Sequence, residues 1–169
     1  MLENVPEPGA HEALPRLSQV HRLANGGSVW MGGARSLYGT ELTAGAAALG
    51  WVIDLAGDLP AELHEAAGRA TFCVFADLEE APAALPRLRA LAGEVAEAVR
   101  NGGTVYLACT HGLNRSGLLT GLVLRELGFS AGETVALLRR ARPAALANHA
   151  FLALVEGHPA LAATAPPTP

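Results

Sequence analysis

Lysine is absent from this sequence: all twelve basic residues are arginine, set against sixteen acidic residues and a formal net charge of −4. Proteins that bind polyanions over a broad surface carry an excess of positive charge, so the composition argues against DNA and against general RNA binding. Two cysteines are too few for a disulfide framework, and no spacing of cysteine and histidine suggests a metal site. No apolar run approaches the length of a membrane-spanning helix. The sequence therefore predicts a domain without metal, cofactor or membrane span.

The amino terminus also lacks the basic end and the apolar stretch of a secretion signal. We therefore expect a cytoplasmic protein, whose two thiols suit a reducing compartment. A length of 169 residues, half of them apolar, suffices for one domain with one substantial core. We expect an extension over residues 1–25, which show no sustained hydrophobic period, a domain over 26–158, and a disordered, proline-containing tail over 159–169.

The middle of the chain alternates short apolar runs with helical stretches, which is typical of an α/β domain with a mainly parallel sheet. The predicted strands cover residues 28–31, 51–55, 71–75 and 104–108. The predicted helices before the last strand cover residues 41–49, 61–67 and 83–100. After that strand we expect three helices: one over 116–127 ended by Gly128, one opened by the capping box of Ser130 and Glu133, and one with Phe151, Leu154 and Val155 on one face.

The most informative segment is the loop that follows the last predicted strand. A cysteine and an arginine stand six residues apart with a glycine midway, in the order Cys109, Thr110, His111, Gly112, Leu113, Asn114, Arg115, Ser116. A loop between a strand and a helix can surround a phosphate with its backbone N–H groups. We therefore predict that residues 109–115 bind phosphate. The alternative is an inert buried cysteine that happens to precede a surface arginine.

Each residue type in this loop has a chemical use. Cys109 attacks only as a thiolate, and a free cysteine has a pKa of about 8.5, so the positive end of the following helix is needed to stabilise the anion. Arg115 presents a planar fork that can hold two phosphate oxygens. Gly112 lets the backbone turn its amides inward, and the Ser116 hydroxyl can donate to the sulfur. The loop thus combines a nucleophile with an anion-binding site.

This segment resembles the signature loop of the cysteine-dependent protein tyrosine and dual-specificity phosphatases, which reads His-Cys-x-x-Gly-x-x-Arg followed by Ser or Thr. Asp77 lies 32 residues before Cys109, where dual-specificity phosphatases carry their general acid. Two other acids, Glu79 and Glu80, share the loop of Asp77 and remain alternatives to it.

Other stretches agree with the resemblance, which extends over roughly residues 28–157. Arg142 and Pro143, with Asn148 and Phe151, are similar to the arginine-proline turn and the final helix of that family. The segment 51–55 is similar to its early central strand. The resemblance implies a dual-specificity-phosphatase-like, three-layer α/β domain, with a mainly parallel central sheet of four to five strands flanked by helices.

One residue departs from the family pattern, because Ala108 stands where the family usually has histidine. That histidine normally orders the loop and helps to hold the thiolate. Without it, stabilisation of the Cys109 thiolate falls to the helix dipole, the loop amides and Arg115. We therefore expect slower chemistry at neutral pH than the loop would otherwise support.

The resemblance implies phosphomonoester hydrolysis in two steps. Cys109 attacks phosphorus while Asp77 protonates the departing oxygen, and Asp77 then directs water onto the intermediate. Arg115 and the loop amides hold the equatorial oxygens in both steps, and Ser116 assists the sulfur. The expected enzyme is a protein tyrosine or dual-specificity phosphatase that needs no cofactor.

The substrate stays open between several phosphoesters. The order Cys-Thr-His-Gly-x-Asn-Arg is similar to RNA 5′-triphosphatases of the capping type, but the acidic chain, the lack of lysine and Asp77 disfavour RNA. A phosphorylated protein, with phosphotyrosine preferred, is the leading substrate, followed by small phosphoesters or phosphoinositides. A catalytically weak phosphate-binding module, favoured by Ala108, and a rhodanese-like or arsenate-reducing thiol enzyme are the remaining alternatives.

The second cysteine, Cys73, lies on a predicted core strand. It could trap an oxidised Cys109 as a reversible disulfide, although an inert core cysteine is the simpler interpretation.

Overall fold

The computed structural model describes residues 17–34 and 50–159. Five strands form one sheet: β1, Leu17–Arg22; β2, Ser28–Gly33; β3, Trp51–Asp54; β4, Arg69–Phe72; and β5, Thr104–Cys109. Their order across the sheet is β1-β2-β5-β3-β4, so that β5 occupies the centre. The strands β2, β5, β3 and β4 are mutually parallel, and β1 pairs antiparallel with β2 at one edge. The predicted α/β class and mainly parallel sheet are confirmed.

Strand β1 corrects the expectation that residues 1–25 form an extension outside the domain. Residues 17–22 belong to the sheet, and a tight turn joins them to β2 through a hydrogen bond from Leu23 N to Gly27 O (2.7 Å). Val20 is the one apolar side chain of this strand that is described as buried. An edge strand with so few apolar positions has no detectable period, which is why the hydrophobic pattern missed it.

Strand β4 begins and ends earlier than the segment 71–75 that the sequence predicts. The strand covers Arg69–Phe72. Its pairing with the end of β3 continues through two more hydrogen bonds, from Cys73 N to Asp54 O (3.0 Å) and from Phe75 N to Leu55 O (3.3 Å). The chain is therefore extended as far as Phe75. This extension carries the following loop to the edge of the sheet where β5 ends.

Five helices are described. The three whose two ends are predicted from the hydrophobic pattern agree with the prediction to within two residues at each end, and the other two lie where the capping box and the apolar face predict a helix. The five helices are α1, Ala61–Ala66; α2, Leu85–Arg100; α3, Arg115–Glu126; α4, Ala131–Ala141; and α5, His149–Gly157. The predicted capping box is present, with the Ser130 side chain and the Glu133 side chain each accepting from the other's backbone N–H. The helix predicted over 41–49 and nearly all of the predicted tail lie outside the described residues.

The core lies on both faces of the sheet because side chains alternate along β5. Val105, Leu107 and Cys109 point into a large cluster that also takes in apolar residues of α2, α3, α4 and α5. Tyr106 and Ala108 point the other way, into a smaller cluster closed by Leu63 of α1. Helices on both faces give three layers, as predicted. No helix in the described part of the chain is both long and apolar enough to cross a lipid bilayer.

Helix α3 packs beneath the central strand and is buried along most of its length, from Ser116 to Leu124. Its first residue follows the end of β5 after five loop residues. The strand, the loop and the helix therefore form one continuous unit at the centre of the domain.

Candidate active site

The loop between β5 and α3 surrounds the sulfur of Cys109, which is the last residue of β5 and is 3% exposed. The backbone N–H of Gly112 donates to the sulfur at 3.2 Å, and the thiol lies 3.4 Å from the Ser116 hydroxyl oxygen. In the thiol form the sulfur donates to this oxygen. Once the thiol has ionised, only the hydroxyl carries a proton, so the same pair then stabilises the thiolate.

The amino terminus of α3 faces the loop. Asn114, which precedes the helix, makes no side-chain hydrogen bond to the backbone of the first turn. The first N–H groups of a helix have no partner within the helix and attract anions. The arrangement leaves these donors available to a phosphate held beside Cys109.

The backbone of the loop presses directly against the end of strand β2. Gly112 has a φ of 71°, in the left-handed region, and a β-carbon there would lie 2.3 Å from the carbonyl carbon of Gly32. A β-carbon on Gly33 would lie 2.5 Å from the carbonyl carbon of His111. Since the obstructing atoms are backbone, neither side chain could be accommodated without moving the loop. Glycine is required on both sides of this contact.

Arg115 is held by two neutral oxygen atoms. Its Nη1 donates to the carbonyl oxygen of Phe75 at 3.2 Å, and its Nη2 donates to the hydroxyl oxygen of Thr110 at 2.9 Å. Among the described residues Arg115 has no salt bridge to a carboxylate. The positive charge of Arg115 is therefore positioned at the loop without being neutralised there.

Asp58, which no sequence motif marks, supports this arrangement. The Thr110 hydroxyl donates its proton to Asp58 Oδ2 at 2.7 Å. The lone pairs of the Thr110 oxygen can then accept the hydrogen bond from Arg115. The signal that could have found Asp58 is its position just after strand β3, at the edge of the sheet where the parallel strands end.

The turn that carries Asp58 is shaped by the buried carboxylate of Asp54. Asp54, the last residue of β3, accepts hydrogen bonds from three backbone N–H groups of the next turn, those of Ala56 (3.1 Å), Gly57 (2.7 Å) and Leu59 (3.3 Å). His64 Nε2 lies 3.3 Å from Asp54 Oδ2. The three amides fold the turn around Asp54 and bring Asp58 to Thr110.

Asp77 contacts the loop through Asn114 and is also held by Asn148, which precedes α5. Asn114 Nδ2 donates to Asp77 Oδ2 at 3.0 Å, and Asn148 Nδ2 donates to Asp77 Oδ1 at 2.7 Å. Glu79 and Glu80 are exposed and make no described contact with the phosphate loop. Of the three acidic residues in this segment, Asp77 is the one with a described hydrogen bond to a residue of the loop, and its role as the acid stays a prediction.

Arg142 connects the loop to strand β1. It is buried, and it donates to Ser18 Oγ in β1 (3.1 Å) and to the carbonyl oxygen of His111 (3.4 Å). Burial lowers the pKa of its guanidinium from the ordinary value, whereas negative charge on Tyr106 and Cys109 would raise it. The arginine of the predicted arginine-proline turn thus ties the edge strand β1 to the phosphate loop.

Ala108 points away from the loop, into the smaller core cluster, and is completely buried there with Val52, Leu59 and Tyr106. The Tyr106 hydroxyl has no hydrogen-bond partner among the described residues, and burial raises its pKa well above the ordinary value. A histidine at position 108 would have to displace packed apolar side chains. The expected effect of Ala108 on the rate stays a prediction.

Cys73 lies too far from Cys109 for a disulfide in this fold. Both residues continue strands that flank β3, so their Cα atoms are two strand spacings apart, about 9–10 Å. A disulfide needs Cα atoms within about 7 Å. Burial also raises the pKa of the Cys73 thiol, which makes it a poor nucleophile. These features favour the interpretation of Cys73 as a core residue.

In the described segments no group of three or more histidine, cysteine, aspartate or glutamate side chains could hold a metal ion. The groups assembled at the loop are instead a thiol, a guanidinium, a carboxylate and backbone amides. Together they can bind a tetrahedral anion and place a nucleophile and an acid beside it.

Comparison with solved structures identifies the fold as that of dual-specificity and protein tyrosine phosphatases. A mouse protein assigned as a dual specificity phosphatase, solved with zinc tungstate, aligns with 23% identity, a TM-score of 0.68 and coverage of 94% of this chain and 92% of its own. Human DUSP28 aligns with 21% identity, a TM-score of 0.66 and coverage of 85% and 93%. Tk-PTP in its active form aligns with 23% identity, a TM-score of 0.64 and coverage of 84% and 95%. The sequence matches no family model and no curated protein.

The contact between the loop and β2 predicts that Gly33→Ala lowers kcat/KM for an aryl phosphate by about 100-fold, because a loop displacement of about 1 Å can cost that much. Gly93→Ala is the matched control, since a β-carbon at Gly93 in α2 meets no atom within 4 Å. We expect this control to keep full activity. Equal activity in the two variants would show that the loop tolerates the displacement.

The contact of Thr110 with Asp58 predicts that Asp58→Ala weakens inhibition by inorganic phosphate about tenfold, the equivalent of one hydrogen bond to a charged group. Asp58→Asn keeps an oxygen acceptor for Thr110, and we expect it to stay within about twofold of the parent. The measurement is the phosphate inhibition constant. Tighter phosphate binding by Asp58→Ala would instead identify the carboxylate as a repulsive charge at the site.

Proposed function

We propose that this protein is a cysteine-dependent phosphatase of the protein tyrosine or dual-specificity type, and that it hydrolyses phosphomonoesters. The observation that carries the proposal is the convergence of Cys109, Arg115 and Asp77 on one loop. A phosphate-binding protein needs the arginine and the amides only. A thiol under the helix terminus and a carboxylate at the rim are the additional groups that hydrolysis requires.

In the proposed first step the Cys109 thiolate attacks phosphorus from the side opposite the ester oxygen. A sulfur–phosphorus bond forms, the phosphorus–oxygen bond breaks, and the protonated carboxyl group of Asp77 gives its proton to the departing oxygen. Arg115 and the loop amides balance the charge of the equatorial oxygens. The products of this step are the free alcohol and a phosphocysteine.

In the second step water attacks the phosphocysteine and Asp77, now a carboxylate, accepts a proton from it. The phosphorus–sulfur bond breaks and returns Cys109 as a thiolate, which the Ser116 hydroxyl stabilises by donating to the sulfur. Inorganic phosphate leaves, and the cycle restarts when Asp77 again carries a proton. The four residues proposed as catalytic are therefore Cys109, Arg115, Asp77 and Ser116.

The proposed substrate is a phosphorylated protein, with phosphotyrosine preferred. Support comes from Asp77, because a general acid accelerates the departure of a basic alcohol or phenol oxygen and does little for the weakly basic phosphate that leaves a triphosphate. The net charge of −4 and the absence of lysine add to the case against an RNA 5′-triphosphate. We place the protein in the cytoplasm, where a reactive thiol stays reduced.

The direct test is hydrolysis of p-nitrophenyl phosphate and of a phosphotyrosine peptide by the parent, Cys109→Ser and Asp77→Asn. We expect no turnover by Cys109→Ser, and a loss of about 100-fold or more by Asp77→Asn on the peptide. Inositol phosphates and 5′-triphosphorylated RNA complete the panel. Turnover by Cys109→Ser would refute the proposal, and a preference for the RNA would replace the substrate assignment.

A phosphocysteine trapped by acid quench and found by mass spectrometry separates an enzyme from a phosphate-binding module. We expect it on Cys109 in the parent. A protein that binds phosphate but neither turns over nor forms this adduct would be the binding module.

A further inference from the structure

We propose that Asn114 and Asn148 are positioning residues that hold Asp77 ready to act as the general acid before substrate arrives. The inference rests on the proposed function and concerns how the acid is placed. In the sequence analysis Asn114 contributes only to phosphate binding, and Asn148 belongs to the final helix.

Both oxygens of Asp77 are occupied by amide donors from two different parts of the chain. Asn114, inside the phosphate loop, donates to Oδ2 at 3.0 Å, and Asn148, which caps α5, donates to Oδ1 at 2.7 Å. The residues lie 37 and 71 positions from Asp77 in the sequence. Only the tertiary fold brings these groups together.

The two asparagines are themselves fixed. Asn114 Oδ1 accepts from the backbone N–H of Asn148 at 2.9 Å, and Asn148 Oδ1 accepts from the backbone N–H of Phe151 at 3.2 Å. With each side-chain oxygen held by a backbone donor, each NH₂ group has to point toward Asp77. The orientation of the amides is therefore decided by the backbone of α5.

Asn148 also holds the backbone of the acid's own segment. Its Nδ2 donates to the carbonyl oxygen of Leu78 at 2.9 Å, as well as to the carboxylate of Asp77. The Leu78 side chain is 52% exposed and Asp77 is exposed too, so burial does little to order this segment. The hydrogen bonds of Asn148 supply the order that packing does not.

The position of Asn114 immediately before Arg115 connects the acid with the phosphate-binding group. A carboxyl group that is already held at the rim does not lose conformational freedom when substrate binds, and this loss is a large part of the barrier in reactions between separate groups. Amide N–H groups can donate to a carboxyl oxygen in either protonation state, because each oxygen has more than one lone pair. We call Asn114 and Asn148 together the asparagine clamp. The clamp can therefore keep its hydrogen bonds while Asp77 gives up and regains its proton.

The test compares two aryl phosphates whose leaving groups differ in basicity. Departure of phenol from phenyl phosphate needs a proton, whereas departure of 2,4-dinitrophenol does not. We expect Asn114→Ala and Asn148→Ser to lower kcat/KM for phenyl phosphate by about 10- to 100-fold, and kcat/KM for 2,4-dinitrophenyl phosphate by less than about threefold. The ratio kcat/KM is used because it covers the steps up to the phosphocysteine and leaves out the second step, in which Asp77 serves both substrates as the base. Serine at position 148 keeps an oxygen that can cap α5, so the helix stays capped.

Two controls isolate the role of the clamp. Glu80→Gln changes an exposed acid of the same segment and should leave both rates unchanged. In an Asp77→Asn background, Asn114→Ala should cause no further loss on phenyl phosphate, because there is then no acid to position. Thermal unfolding of every variant reports whether the fold is intact.

Equal losses on the two substrates, or a full further loss in the Asp77→Asn background, would overturn the inference and make Asn114 a phosphate-binding residue only. Failure of the proposed function looks different: the parent would hydrolyse neither substrate, or Cys109→Ser would hydrolyse both. In that case the inference falls with it.

Discussion

The site depends on a backbone contact in which the phosphate loop lies directly on the end of strand β2. A β-carbon on Gly112 would collide with the backbone of Gly32 and Gly33, and one on Gly33 would collide with the backbone of His111 and Gly112. This contact determines how far the loop can descend over the sheet, and so where the amides around Cys109 point. The groups that reach the loop from other elements act on a position that this contact has set.

Three supports hold the loop from different sides. Asp54 shapes the turn that delivers Asp58 to Thr110, and Thr110 in turn orients Arg115. Arg142 holds the His111 carbonyl from below. On the remaining side, the asparagine clamp ties the loop to Asp77. Hydrogen bonds within the protein thereby fix the loop and its charged neighbours, which is the condition that the proposed electrostatic catalysis requires.

The sequence was sufficient to predict the order of helices and parallel strands and the loop residues 109–115, because both depend on local patterns. Periodicity located the buried helices, and the spacing of Cys109 and Arg115 in the loop is visible in one short segment. Strand β1 escaped prediction because an edge strand buries too little to impose a period. Asp58 escaped because its position after β3 indicates only the edge of the sheet, and nothing in the segment 54–59 identifies Thr110 as its partner.

Asn114 shows most clearly which features follow from the sequence and which follow only from the tertiary structure. The sequence by itself determined that it stands beside Arg115 in the loop that follows Cys109. It predicted phosphate binding for this loop and left Asp77, Glu79 and Glu80 as competing acids. Only the tertiary structure placed Asp77 between Asn114 and Asn148, and this contact is what supports the proposal that Asp77 is the acid. The physical reason is that hydrogen bonds select partners by distance and direction in space, and these are set by how strands and helices pack, not by the separation of residues along the chain.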